Sequence, residues 1–188
     1  MPFSYPSAAL NMRPIVRLSA AAVIAILAAL AAVFFYRSYA VPVPQTIRLI
    51  DGTDAFFLSD TRVEPAATYP QPREIRVDGD AFLRVPAASA PLIVRTRLLV
   101  LTVMGDSALR VKAYWKQTGE QVEVLSGRVQ AKKSYPSSYS APDELSGGEM
   151  SMVNQTIDLM EKETFDPAPL RHWSEDLIDA TRRAARAQ

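Results

Sequence analysis

An uninterrupted apolar run lies near the amino end of the chain, from Leu18 to Tyr36. Its nineteen residues include no charged residue, no Pro and no Gly, and Arg17 and Arg37 bracket it. A helix of that length is about 28 Å long, close to the thickness of the hydrocarbon core of a bilayer. The pattern therefore predicts a single transmembrane helix.

Two alternatives compete with a permanent anchor. Ser38-Tyr39-Ala40 fits the small-x-small pattern that precedes signal-peptidase cleavage, so the run could be a signal peptide removed near Ala40. The apolar core of a signal peptide has about 7–15 residues, and the longer run here favours the anchor. A buried soluble helix is the other alternative, but soluble helices rarely lack a polar face over five turns.

Hydropathy and turn residues divide the rest of the chain. Residues 1–17 contain three Pro residues without helical periodicity and are predicted to be a short disordered head. Alternating Val and Pro predict an extended linker over residues 37–45. Short runs of β-forming residues between turn residues then predict a mainly β domain over residues 46–165. Residues 166–188 are predicted to form a C-terminal amphipathic helix.

Glycine-containing turn signals separate the predicted strands. Asp78-Gly79 lies between two runs of alternating hydrophobicity and predicts a β-hairpin, because a type I′ turn needs positive φ at both central residues. Ser126-Gly127 predicts a second hairpin, and Gly105-Asp106 separates two further strands. Many short strands with such turns are typical of an antiparallel sandwich, roll or barrel.

The C-terminal segment has the start signals of a helix. Asp166 is a suitable N-cap and Pro167 suits the first helical position. Apolar residues then recur at helical spacing at Leu170, Trp173, Leu177 and Ile178. We expect this helix to pack on the β domain through Trp173.

Composition excludes several kinds of chemistry. The chain has no Cys and one His, His172, so thiol catalysis and multi-His metal sites are excluded. From Val41 onward there are 18 basic and 20 acidic residues, a net charge of −2, which argues against nucleic-acid binding. Phosphate-binding loops, nucleophile elbows and zinc-protease motifs do not occur. We expect no enzyme activity, no cofactor and no metal, and we assign the loop Asp residues to turn chemistry.

Four aromatic residues are the candidate interaction surface: Tyr69, Trp115, Tyr135 and Tyr139. Aromatic side chains with a polar edge are enriched at protein interfaces. The segment from Ser134 to Tyr139, or an exposed strand edge, is the predicted contact. Expected partners are membrane lipid around the apolar run and another protein of the cell envelope.

From Thr46 to Trp173 the chain resembles the FecR family of membrane-anchored bacterial regulators that act on alternative sigma factors. The pieces that carry the resemblance occur in family order: Asp51-Gly52-Thr53, Arg73-Glu74-Ile75 with Gly79-Asp80-Ala81-Phe82, Pro91 to Thr96, Val122 to Val129, Leu145 to Glu149, and Trp173.

The resemblance implies a transmembrane helix, a cytoplasmic amino end and an all-β periplasmic domain at the bacterial inner membrane. In the family a helical head binds the sigma factor, and a further C-terminal module receives an outer-membrane receptor. We expect neither module here, because residues 1–17 are too few for that head and the resemblance stops at Trp173. The expected function is a sensor or regulatory protein-interaction module; the alternative is a structural module that binds glycan or peptidoglycan.

Overall fold

The structure is a computed structural model and describes residues 25–32, 43–138 and 141–186. The chain divides into two compact units, Met1–Val41 and Pro42–Gln188. In the first unit, residues 25–32 form a helix (α1) with Ile26, Leu27 and Leu30 exposed. The remainder of the apolar run, together with residues 1–17, lies outside the described residues. Across those three ranges, no helix is both long enough and apolar enough to cross a membrane.

The second unit is mainly β, as the sequence predicts, and ends in one helix. Its elements are β1 Pro44–Arg48, β2 Asp54–Leu58, β3 Arg62–Pro65, β4 Glu74–Val85, β5 Leu92–Arg95, β6 Leu99–Val103, β7 Ser107–Ala113, β8 Gly119–Ser126, β9 Arg128–Lys133, β10 Asp143–Ser146, β11 Glu149–Asn154, β12 Leu159–Thr164 and α2 Pro167–Arg186.

The strands form one large mixed sheet that folds into a barrel-like body. Its main path is β10-β9-β6-β5-β4-β7-β8-β11-β12, with β3 and β2 also paired to β4 and β1 paired to β2. Among the described residues, β4 and β5 pair in parallel and the other pairs are antiparallel. The first half of β4 belongs to one face of the body, with β3 and β5, and its second half to the other, with β2 and β7.

Alternating side chains fill the interior between the two faces. Strand β7 shows the period of two that the sequence predicts, with Leu109 and Val111 fully buried between partly exposed Arg110 and Lys112. The large buried side chains of this core include Phe57, Ile75, Leu83, Leu92, Leu101 and Leu145. Burial of this apolar surface is the main force that holds the two faces together.

Both predicted hairpins are wrong. Asp78-Gly79 lies inside the continuous strand β4, where Gly79 pairs with Ala113 of β7. Ser126-Gly127 does join β8 to β9, but these strands pair with different neighbours: β8 with β7 and β11, β9 with β6 and β10. At both points the chain passes from one face of the body to the other instead of folding back on itself.

Close backbone approach explains why glycine occupies these corners. A Cβ on Gly79 would lie 2.7 Å from the Cα of Thr61, and one on Gly127 would lie 2.7 Å from the Cα of Ser107. A Cβ on Gly105, between β6 and β7, would likewise lie 2.7 Å from the backbone nitrogen of Ala88. Positive φ angles of 124° at Gly79 and 87° at Gly127 add a conformational requirement. Glycine therefore lies where the chain passes from one face of the body to the other. In the sequence, a glycine at such a corner looks the same as a glycine in a hairpin turn.

The C-terminal helix confirms its prediction. The Asp166 carboxylate accepts a hydrogen bond from the backbone N–H of Ala168 at 3.0 Å, which is an N-cap contact. Leu170, Leu177 and Ile178 are buried, and Leu177, Ile178 and Trp173 pack with Phe56 and Phe82 of the sheet. The ring of Trp173 meets that of Phe82 edge to face, with centroids 6.3 Å apart.

Candidate interaction surface

A fork in the sheet creates a groove at the middle of β4. The ladder between β4 and β5 ends at the pair Arg76–Arg95, and the ladder between β4 and β7 begins at Gly79–Ala113. Within the described part of the chain, Val77 and Asp78, between those points, pair with β3 alone. The resulting cavity has a volume of about 300 Å³ and is lined chiefly by Arg76, Val77, Asp78, Arg95, Arg97 and Trp115. We call it the fork groove.

Trp115 forms one wall of the fork groove. It follows the end of β7, and 67% of its surface is exposed. Its backbone N–H donates to Asp78 Oδ1 at 2.9 Å, so the carboxylate ties the start of the β7–β8 loop to β4. The tie positions a large aromatic side chain beside the groove while leaving most of it accessible to a partner.

Three arginines give the fork groove its charge. Arg76 is exposed and makes no ion pair within 4 Å among the described residues. Arg95 Nε donates to Glu74 Oε1 at 2.8 Å. Arg97 Nη1 donates to Gln155 Oε1 at 2.7 Å, and its Nη2 donates to the backbone carbonyl of Gln117. Because Arg97 bonds two neutral acceptors on two different loops, its guanidinium is held in place without a bonded carboxylate.

Tyr69 lies against the core of the domain and is not part of the fork groove. Its side chain packs partly buried against the main core, near the buried ion pair of Asp51 with Arg73. Burial, followed by the nearby Asp51 carboxylate, raises the pKa of the Tyr69 hydroxyl. This position favours a role in stability over one in recognition.

Tyr135 also packs against the main core. The Lys133 Nζ lies 5.7 Å from the centroid of its ring, and burial raises the pKa of its hydroxyl. Tyr139 lies outside the described residues. Of the four predicted aromatic residues, the structure therefore places Trp115 at an exposed groove and packs Tyr69 and Tyr135 elsewhere.

A lysine–serine contact lies beside Tyr135 and has a structural explanation. Lys133 is buried, and its Nζ donates to Ser137 Oγ at 2.9 Å, to the backbone oxygen of Asp158 at 2.7 Å and to Asp158 Oδ1 at 2.8 Å. Three donated bonds use the three protons of an ammonium, so this lysine is not arranged to take a proton from the serine. The contacts join the loop after β9 to the turn before β12.

Within the three described ranges, no group of three or more His, Asp or Glu side chains could hold a metal ion. His172 is exposed on α2, on a different face from the buried stripe of that helix.

Sequence reasoning missed the three arginines of the fork groove. Arg95 and Arg97 flank Thr96 at alternate positions, which is a weak signal of a shared face, but nothing local connects them to Arg76. Their proximity follows from the parallel register of β4 with β5, which brings Arg76 opposite Arg95. Pairing between strands that are distant in sequence cannot be read from a single chain.

Comparison with known proteins shows what this fold is similar to. The chain matches no protein-family model and no curated protein. Two crystal structures described as a proposed anti-sigma factor from Parabacteroides distasonis ATCC 8503, at 1.65 and 2.50 Å resolution, are similar to it. Each aligns over 71% of this chain with 25% sequence identity and a TM-score of 0.61. This chain spans 63% of the length of one and 62% of the other.

Proposed function

We propose that this chain is a FecR-like regulatory module of the bacterial envelope that acts by binding another protein and works in sigma-factor signalling. The observation that carries the proposal is the shared fold with the two proposed anti-sigma factor structures. The order of the family-like pieces from Asp51 to Trp173 supports it independently. The fork groove, with its exposed tryptophan, supplies a surface for the contact.

The partner experiment uses the tagged full chain, extracted in mild detergent from cross-linked cells. We expect a defined envelope protein to be enriched with the wild-type chain and with Arg171→Glu, a charge reversal at an exposed position of α2. Trp115→Ala should reduce that enrichment. Recovery of no protein above background would contradict the proposal.

The regulatory part of the proposal has a separate test. Deletion of the gene should change the expression of a small set of genes that share one promoter motif, and the wild-type chain should restore it. An unchanged transcript profile under envelope stress and nutrient limitation would argue against a role in sigma-factor signalling.

Membrane attachment through Leu18–Tyr36 belongs to the same proposal. Nineteen apolar residues match the thickness of a bilayer, and the flanking Arg17 and Arg37 suit the two interfaces. We expect the chain to stay with membranes after alkaline carbonate washing. If the measured mass of the mature protein is that of a chain starting at Val41, the run is instead a cleaved signal peptide.

Glycan binding is the second candidate function, because 67% of Trp115 is exposed beside a carboxylate and sugar rings stack on such aromatic faces. Pelleting of the chain with purified peptidoglycan sacculi tests it. Binding to sacculi that Trp115→Ala abolishes, together with a partner experiment that recovers no protein, would favour this function over protein binding.

A further inference from the structure

We infer that the fork groove binds an acidic peptide segment of the partner, with carboxylates on its arginines and an apolar or aromatic side chain against Trp115. The inference rests on the proposed function and specifies the chemistry of its partner. It concerns the surface formed where β5 and β7 separate from β4, at Arg76, Asp78, Arg95, Arg97 and Trp115.

Charge is the first argument. Of the three guanidinium groups that line the groove, that of Arg95 is paired with Glu74, whereas those of Arg76 and Arg97 have no bonded carboxylate among the described residues, and the chain from Val41 onward carries a net charge of −2. Arg62 lies directly across from Asp78 on β3, and its guanidinium is paired with Glu64 at 3.9 Å, so this pair adds no net charge at the rim. A local excess of positive charge on an otherwise slightly acidic surface attracts anions and orients them at the groove.

Preorganisation is the second argument. Gln155 and the Gln117 carbonyl hold the guanidinium of Arg97, and Glu74 holds that of Arg95. The hydrogen bond from the Trp115 N–H to Asp78 positions the tryptophan side chain beside the groove. Groups that are already held in the unbound protein lose less conformational entropy on binding.

The donor set selects carboxylates among the available ligands. Planar guanidinium groups bond carboxylate oxygens in pairs, which gives direction as well as charge. Asp78 is the one carboxylate that lines the groove, and its Oδ1 already accepts the N–H of Trp115, which leaves Oδ2 for a sugar hydroxyl. A volume of about 300 Å³ admits a few side chains and no folded element. These features favour an extended acidic peptide over a glycan.

The test measures binding of fluorescein-labelled octaglutamate to the full chain in neutral detergent by fluorescence anisotropy. We expect saturable binding that weakens as salt rises, and none with octaglutamine. Arg76→Glu should weaken the affinity at least tenfold, because it replaces a cation of the groove with an anion. Arg76 is exposed and its replacement disturbs no observed ion pair, so the fold should be unchanged. Arg97→Gln and Trp115→Ala should weaken it as well, and Arg171→Glu should leave it within twofold.

Three results would overturn the inference. One is an octaglutamate affinity that is unmeasurable or the same in wild type and Arg76→Glu. Another is binding to peptidoglycan sacculi that requires Trp115 but not Arg76, which would assign the groove to glycan. An envelope partner that is recovered equally well with Arg76→Glu would leave the proposed function standing and reject the acidic segment alone.

Discussion

Asp51 and Arg73 form a buried ion pair that joins two turns 22 residues apart. Arg73 Nε donates to Asp51 Oδ2 at 2.8 Å, and both side chains are 8% exposed. The same carboxylate accepts the backbone N–H and the hydroxyl of Thr53, each at 2.9 Å. Arg73 also donates to the carbonyl of Ala90. The pair thus fixes the turn before β2, the start of β4 and the loop before β5 to one another.

Asp51→Asn should destabilise the fold strongly, because it leaves the Arg73 guanidinium buried without its counter-ion. Removing one partner of a buried pair costs about 3–5 kcal/mol. Chemical denaturation of the full chain in detergent measures the loss. Arg48→Gln is the matched control, since Arg48 pairs with Asp54 at the surface and such pairs contribute about 0–1 kcal/mol. Equal losses for the two variants would contradict a special role for the buried pair.

Asp51 should also give the fold an acid-sensitive component. Burial alone would raise its pKa, but the neighbouring Tyr69 hydroxyl and the hydrogen bonds from Thr53 and Arg73 outweigh burial and lower the pKa of this carboxyl below its usual value. A carboxyl whose pKa is lower in the folded state stabilises the fold above its unfolded pKa and loses that contribution as pH falls through the folded pKa. Wild type should therefore lose stability as pH falls below about 4. The loss in Asp51→Asn should be smaller over the same range, as followed by denaturation midpoints.

The ion pair shows which information the sequence lacks. Asp51 has the signals of a turn, and it does form that turn with Thr53, but its second role depends on Arg73, which no local pattern connects to it. Strand periodicity in β7 and the cap of α2 are local features, so both could be predicted. Pairing between strands depends on the whole fold, which is why the corners at Gly79 and Gly127 were predicted as hairpins.

Gly79→Ala should destabilise the fold by about 3 kcal/mol. The new methyl group would meet the backbone of Thr61 at 2.7 Å, and φ of 124° is strained for any residue with a Cβ. Gly148→Ala is the control with φ strain alone, since its Cβ would have only the Phe165 carbonyl, at 3.9 Å, within contact distance. Its expected cost is about 1–2 kcal/mol. If Gly79→Ala costs no more than this control, close packing at the corner does not explain the glycine.

Glu120→Gln should maintain or increase stability at pH 7. Glu120 is buried on the core side of β8, and Oε2 accepts the Thr96 hydroxyl and, at 3.0 Å, the Leu98 N–H. Burial raises the pKa of its carboxyl. An acid with a raised folded pKa opposes folding when it ionises, so wild-type stability should fall as pH rises from 4.5 through that pKa. Gln cannot ionise, and this decline should be absent from its denaturation midpoints. A pH dependence that persists unchanged in Glu120→Gln would contradict the assignment.

Trp173→Ala should release α2 from the sheet while leaving the strands paired. Trp173 lies between the ring of Phe82 and the guanidinium of Arg110, which stacks 3.6 Å from its centroid while bonding Asp80. Losing this half-buried ring should cost about 2–3 kcal/mol. Amides of α2 should then exchange with solvent faster than amides of β7, measured by hydrogen exchange. His172→Ala, one residue away and exposed, should stay within about 0.5 kcal/mol of wild type. If the amides of α2 are equally protected from exchange in both variants, Leu170, Leu177 and Ile178 are enough to hold the helix, and Trp173 does not anchor it.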